Sequence, residues 1–127
     1  MNQDLTNKLK TKHPVLLEHI HYFECDDGWC DIIDTLCETI STSNCSIPDE
    51  PLQAFQIKEK FAGLRFYTNY TSDNADMLIA LATRMSTRTC EVCGNPGHVV
   101  TSGYWIKTLC ERHRDEMGYR EMNSNSD

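Results

Sequence analysis

Three stretches of the chain carry a regular hydrophobic pattern, and they differ in kind. Trp29, Ile32, Ile33, Leu36, Cys37 and Ile40 recur at i, i+3, i+4, i+7, i+8 and i+11, the spacing of one face of an α-helix. A second helix is predicted over roughly residues 74–88, capped by Ser72 or Asp73, with Ala75, Leu78, Leu81, Ala82 and Met85 turned inward. Arg84 and Arg88 in its last turn suit the negative end of the helix dipole. Between these helices, Gln56 to Thr68 alternates about Ala62-Gly63 and reads as a β-hairpin.

The remaining segments are shorter. Asp4 to Lys12 reads as a helix with Leu5 and Leu9 on one side, ended by Pro14. Val15 to Ile20 is apolar enough to pack but too short to assign. Glu24-Cys25-Asp26-Asp27-Gly28 is a turn rich in helix-capping residues, and Ser41 to Pro51 is a polar loop with two prolines. Val99 to Thr108 forms a second hairpin about Ser102-Gly103, and a helix follows from Leu109. The expected fold is α+β: helices around a small antiparallel sheet, with a treble-clef-like zinc unit at the C-terminal end. Residues 1–127 are read as a single domain. Its body spans 1–88, its zinc-binding subdomain 89–120 and its polar tail 121–127.

A two-residue turn at Ala62-Gly63 sets Phe61 opposite Leu64 and Lys58 opposite Tyr67. Directly opposed residues share a face. One face then shows Ile57, Glu59, Phe61, Leu64 and Phe66, a core face in which Glu59 needs a partner. The other shows Lys58, Lys60, Arg65 and Tyr67. That cationic, aromatic face has two readings: a solvated outer surface, or a binding site for a small anionic ligand such as a nucleotide.

The chemistry the sequence carries most specifically is near the C-terminus. Cys90 and Cys93 form a CxxC pair, sixteen residues follow, and Cys110 and His113 form a CxxH pair. Four such side chains close a tetrahedral zinc site with no position left for water or substrate, which marks the zinc as structural. The order of knuckle, hairpin and helix is the treble-clef arrangement. His98, inside the second hairpin, is open to reading as an alternative ligand or as surface. Trp105, next to Tyr104, is expected to cover the knuckle.

Charge is distributed unevenly. Residues 1–83 hold six Lys/Arg against thirteen Asp/Glu, whereas residues 84–120 hold six against four, within a net charge of −7. An acidic body argues against broad nucleic-acid binding, leaving Lys107, Arg112 and Arg114 as the candidate contacts for such a regulator. No apolar run is long enough for a membrane span, and Met1 to Thr6 lacks the apolar core of a signal peptide. The four cysteines outside the CxxC and CxxH pairs are therefore read as reduced thiols. Cys37 belongs to the helical stripe.

Weaker constellations stand beside these. His19 and His21 with Cys25 and Cys30 match no common zinc spacing. Asp26, Asp27 and Asp31 fit either helix capping or a hard cation. Neither Cys25 nor Cys45 shows a neighbouring base and oxyanion hole in the sequence, and a second, open metal on the zinc unit would lack ligands. The balance favours a non-enzymatic protein, with Glu59 and the Asp26/Asp27 pair as the residues still open to a chemical role.

Three segments together resemble a family. They are Phe23 to Cys37 around Asp27-Gly28-Trp29, Gln56 to Tyr67, and the CxxC knuckle with Trp105-Ile106-Lys107-Thr108-Leu109-Cys110 and His113. The chain resembles small proteins abundant in tailed bacteriophages and prophage-like elements, and the likeness extends to Asp4-Leu5-Thr6 and Lys12-His13-Pro14. Asp26 and Ala62 stand where the family usually has Gly, so the first hairpin turn is less permissive here. The resemblance implies a setting and no activity. In that setting the chain is expected in the cytoplasm of the bacterial host, binding a host protein, plausibly a defence component.

Overall fold

The computed structural model describes residues 1–122 and holds four helices and two small antiparallel sheets. Helix α1 (Gln3–Lys12) is capped by Asn2, whose side chain accepts from the Leu5 amide at 2.8 Å. Asn2 is itself held by Asp27, through its backbone amide at 2.7 Å and its side-chain amide at 3.1 Å. Val15 to Ile20, unassigned from the pattern, follows turns over residues 14–19 and buries Leu16, Leu17 and Ile20. A single 3-10 turn, Asp27–Trp29, leads into α2 (Cys30–Thr42), and every residue of the predicted stripe is buried.

Strands β1 (Ala54–Lys60) and β2 (Gly63–Thr68) form the first sheet. Its turn is Phe61-Ala62 rather than Ala62-Gly63, so Lys60 pairs with Gly63, Lys58 with Arg65 and Ile57 with Phe66. Phe61 and Ala62 have φ of 52° and 69°, the left-handed pair of a type I′ turn. Tertiary contacts hold this strained turn. The Glu59 carboxylate accepts from the Ala62 amide at 2.9 Å, and the buried Thr108 hydroxyl donates to the Ala62 carbonyl at 2.8 Å. Relative to the expected register each partner moves by two residues, one repeat of the pleat, so the two faces keep their members. Phe61 is the exception, because it leaves the core face for the exposed turn.

Helix α3 (Asp73–Ser86) is capped by Ser72, which accepts from the Ala75 amide at 3.2 Å. It covers the open edge of β2. The Ser86 hydroxyl accepts from the Leu64 amide at 2.9 Å, and Thr83 donates to the Leu64 carbonyl at 2.9 Å, satisfying backbone groups that an uncovered edge strand would leave open. The inward face of α3 is therefore Ala75, Ala82 and Ser86, with Leu78 half-buried. Leu81 and Met85, expected inward, are exposed.

The second sheet has the order β4-β3-β5, from β3 (His98–Thr101), β4 (Ile106–Leu109) and β5 (Arg120–Glu121), with α4 (Glu111–Glu116) between β4 and β5. Strand β5 crosses the expected boundary between zinc unit and tail, because Arg120 pairs with Thr101 and Glu121 with Val100. The remainder of the predicted tail, 123–127, lies outside the described residues. No helix among the described residues is long and apolar enough to cross a membrane.

Candidate metal centre

The knuckle is built on the body through one residue that has no side chain. A Cβ on Gly28 would lie 2.1 Å from the Cys90 carbonyl oxygen and 2.5 Å from that of Glu91. The bare glycine lets the backbones touch, and its amide donates to the Glu91 carbonyl at 2.7 Å. Next to it, the fully buried Trp29 donates its indole N–H to the Thr89 carbonyl at 2.9 Å. The Asp27-Gly28-Trp29 turn is thus the socket into which the knuckle fits.

Glu91, inside the CxxC pair, is almost wholly buried and was not singled out from the sequence. Its carboxylate accepts from the Asp26 amide at 3.1 Å and from Lys107 at 3.4 Å. Burial pushes its pKa up, and the Lys107 charge only partly offsets this. Lys107 shifts up in turn: burial opposes its charge, but Glu91 together with Glu59 and Asp26 outweighs that cost. A carboxylate between two cysteines reads as surface from the sequence alone, and only docking against the Asp26 turn buries it.

The four ligand candidates converge. Cys90, Cys93, Cys110 and His113 place one ligand atom each, all within 4.8 Å of one another, and together they could hold a metal ion. Cys93 Sγ and Cys110 Sγ are 3.8 Å apart, Cys90 Sγ and His113 Nδ1 3.7 Å, and Cys110 Sγ and His113 Nδ1 3.2 Å. Cys110 is the N-cap of α4, and its sulfur accepts from the His113 backbone amide at 3.5 Å. That amide, with help from the His113 ring and the neighbouring cysteines, pulls the Cys110 thiol down to about 6.

The other constellations resolve differently. Among the described residues, no second group of three or more His, Cys, Asp or Glu side chains converges. His98 is half exposed and pairs with Glu121. His19 stacks on Phe55 with ring centroids 5.0 Å apart and meets Gln53 at 3.2 Å. Asp27 accepts from the backbone and side-chain amides of Asn2, and Glu59 closes the β1–β2 turn. Cys25 and Cys37 are buried and pushed up to about 12, chiefly by desolvation, which keeps them protonated and poor nucleophiles.

Lys58, Lys60, Arg65 and Tyr67 share the outer face of the first hairpin. The three cations make no ion pair within the chain among the described residues. Lys60 instead lies 5.7 Å from the centroid of the Phe61 ring. The nucleic-acid candidates are each engaged: Arg112 with Glu116 at 2.8 Å, Arg114 with Asp115 at 2.9 Å and with Glu121, and Lys107 with Glu91.

A surface that the sequence did not announce lies where the two hairpins meet. Phe61, Tyr104 and Trp105 are 71%, 95% and 72% exposed. They line a groove of about 740 Å³ together with Lys60, Lys107 and Tyr119. Trp105, expected to cover the knuckle, instead stands in solvent at the groove. The signal available in the sequence was an aromatic pair, Tyr104-Trp105, directly after the Ser102-Gly103 turn, where solvent contact is the rule. No family model, curated protein or solved structure matches the chain.

Proposed function

We propose that the chain is a non-enzymatic accessory protein of phage origin whose zinc centre holds a protein-binding surface in shape. The separation of two ligand sulfurs suits zinc. Two thiolates at about 2.3 Å from a tetrahedral ion stand about 3.8 Å apart, and Cys93 and Cys110 are at 3.8 Å. With four protein ligands the ion is closed to substrate, so its part is structural, in a treble-clef-like unit.

The exposed aromatic groove carries the functional half of the reading. Phe61 comes from one hairpin and Tyr104 and Trp105 from the other, so they meet only when the metal unit is docked. Exposed aromatics grouped around a cleft are the usual anchors of protein interfaces. The partner we assign is a host protein, in line with the resemblance to phage proteins, and a defence component is the natural target class. A host-cytoplasmic setting suits the free state of all seven cysteines.

The experiment is native mass spectrometry of tagged protein recovered from phage-infected bacteria, run beside a Tyr104→Ser/Trp105→Ser variant. The reading expects one zinc plus a stoichiometric host polypeptide, which the variant loses while keeping its zinc. Equal recovery of the polypeptide by both proteins would remove the groove from the account, and a zinc-free folded chain would remove the metal.

A second reading rests on the three uncompensated cations Lys58, Lys60 and Arg65 beside Tyr67. They suit a small anionic ligand such as a signalling nucleotide. A co-purifying mass of a few hundred daltons, lost with Lys60→Ala/Arg65→Ala, would support it. A nucleic-acid role has less support, since its three expected cations are already paired within the chain.

A further inference from the structure

Helix α3 carries two apolar faces, and the fold uses one. Ala75, Ala82 and Ser86 are buried in the body. On another side Met77, Leu81 and Met85 are 73%, 56% and 48% exposed. They are four residues apart, so they form one line along the helix. Leu81 and Met85 also line a shallow hollow of about 240 Å³ against Ile32, Thr35 and Leu36 of α2. Single exposed apolar residues are ordinary, but a contiguous exposed stripe beside a hollow floored by the buried Ile32 and Leu36 marks a contact surface.

We infer that this face is covered by a second copy of the chain, with α3 packed antiparallel on α3 about a two-fold axis at Leu81. The spacing of the stripe permits this occupant, and the charges at its ends select it. The stripe is symmetric about its centre: Met77 and Met85 lie equally far from Leu81, so reversal sets Met77 against Met85 and Leu81 against itself, as an isologous interface requires.

The charges are also self-complementary. Asp73 opens the helix, Arg84 lies in its last turn and Arg88 just beyond its end. None of the three makes an ion pair within the chain among the described residues. Antiparallel pairing about Leu81 brings Asp73 of each protomer beside Arg88 of the other, at both ends at once. A parallel pair would set like charges together. The hollow beside Met85 lies where the partner's Met77 arrives. One helix face falls short of the roughly 800 Å² per partner of a standard interface, so the expected behaviour is a monomer–dimer equilibrium in the micromolar range.

Sedimentation velocity of the metal-loaded full chain, over roughly 1–200 µM, tests this. We expect a concentration-dependent dimer that Leu81→Asp weakens by roughly 100-fold, with unchanged circular dichroism and metal content because Leu81 is exposed in the protomer. Charge reversal supplies a second arm. D73R and R88D should each weaken self-association, and an equimolar mixture of the two should recover it, since the mixed dimer restores opposite charges at both ends. A chain that stays monomeric over the range, a dimer indifferent to Leu81→Asp, or a mixture no tighter than either variant alone would overturn the inference.

Discussion

The body and the C-terminal unit are stabilised on different principles. The body buries a cluster of twenty apolar residues drawn from α1, α2, α3, the first hairpin and the turns between them. The C-terminal unit buries four: Cys90, Val100, Leu109 and Cys110. Two of those are ligand candidates. Apolar burial contributes about 25 cal/mol per Å², so the body can fold on its core, whereas the unit lacks enough surface to do so. On the reading proposed above, a metal at its centre holds the unit together, and docking onto Gly28, Trp29 and Ala62 holds its edge. The surface we assign to partner binding sits on that docked boundary, where it depends on both.

Removing the metal separates the two regions most strongly. Structural zinc contributes apparent energies of about 10–16 kcal/mol in small domains. Cys110→Ser, or a strong chelator, should therefore melt β3, β4, α4 and β5 while α1, α2 and the first hairpin persist. Hydrogen exchange read by mass spectrometry would show protection lost beyond residue 90 and retained before it. Uniform loss across the chain would mean that the body has no independent stability.

Gly28→Ala attacks the docking rather than the metal. A methyl group at 2.1 Å from the Cys90 carbonyl oxygen must displace the knuckle, and we expect a cost of about 2–4 kcal/mol in denaturant unfolding, with metal still bound. A cost below about 0.5 kcal/mol would show that the boundary relaxes freely.

Asp34 tests the body alone. Burial raises its pKa, but hydrogen bonds from His13 at 2.7 Å and Lys12 at 2.9 Å outweigh this and hold it below its ordinary 3.8. A carboxylate with a lowered folded pKa contributes stability that is complete above its ordinary value and lost as pH falls through the folded one. Asp34→Asn should cost about 0.5–1 kcal/mol at pH 7, since the site is partly exposed and screened. The difference should shrink below pH 3.8. A cost that stays constant to pH 2 would assign it to packing.

The smallest effect concerns Phe61, and its sign is the informative part. The residue is held at φ 52° with its ring in solvent, an arrangement that stability does not favour. Phe61→Asn should raise stability by roughly 0.5–1 kcal/mol, because Asn adopts the left-handed region readily, and should weaken partner capture. Lower stability would return Phe61 to a structural role.

Local information was enough for much of this architecture. The stripe from Trp29 to Ile40 faces inward because a period of 3.6 admits one buried side, and Ser72 caps α3 as its side chain allows. The CxxC and CxxH pairs could meet because each pair is set by a tight turn or a first helical turn, which only the hairpin between them must align. Even the strand faces survived a wrong turn, since moving cross-strand partners by two residues preserves the pleat.

Decisions that joined distant segments were not legible. The turn moved to Phe61-Ala62 because Glu59 and Thr108 bind the Ala62 backbone, and Thr108 is remote in sequence. Glu91 is buried because the knuckle meets the Asp26 turn. Leu81 and Met85 face outward because the hydroxyls of Thr83 and Ser86 satisfy the β2 edge and fix the rotation of α3. The aromatic groove exists because two hairpins dock side by side. Periodicity reports which side of an element is apolar, but where an element has two such sides, only its neighbours decide which one is covered.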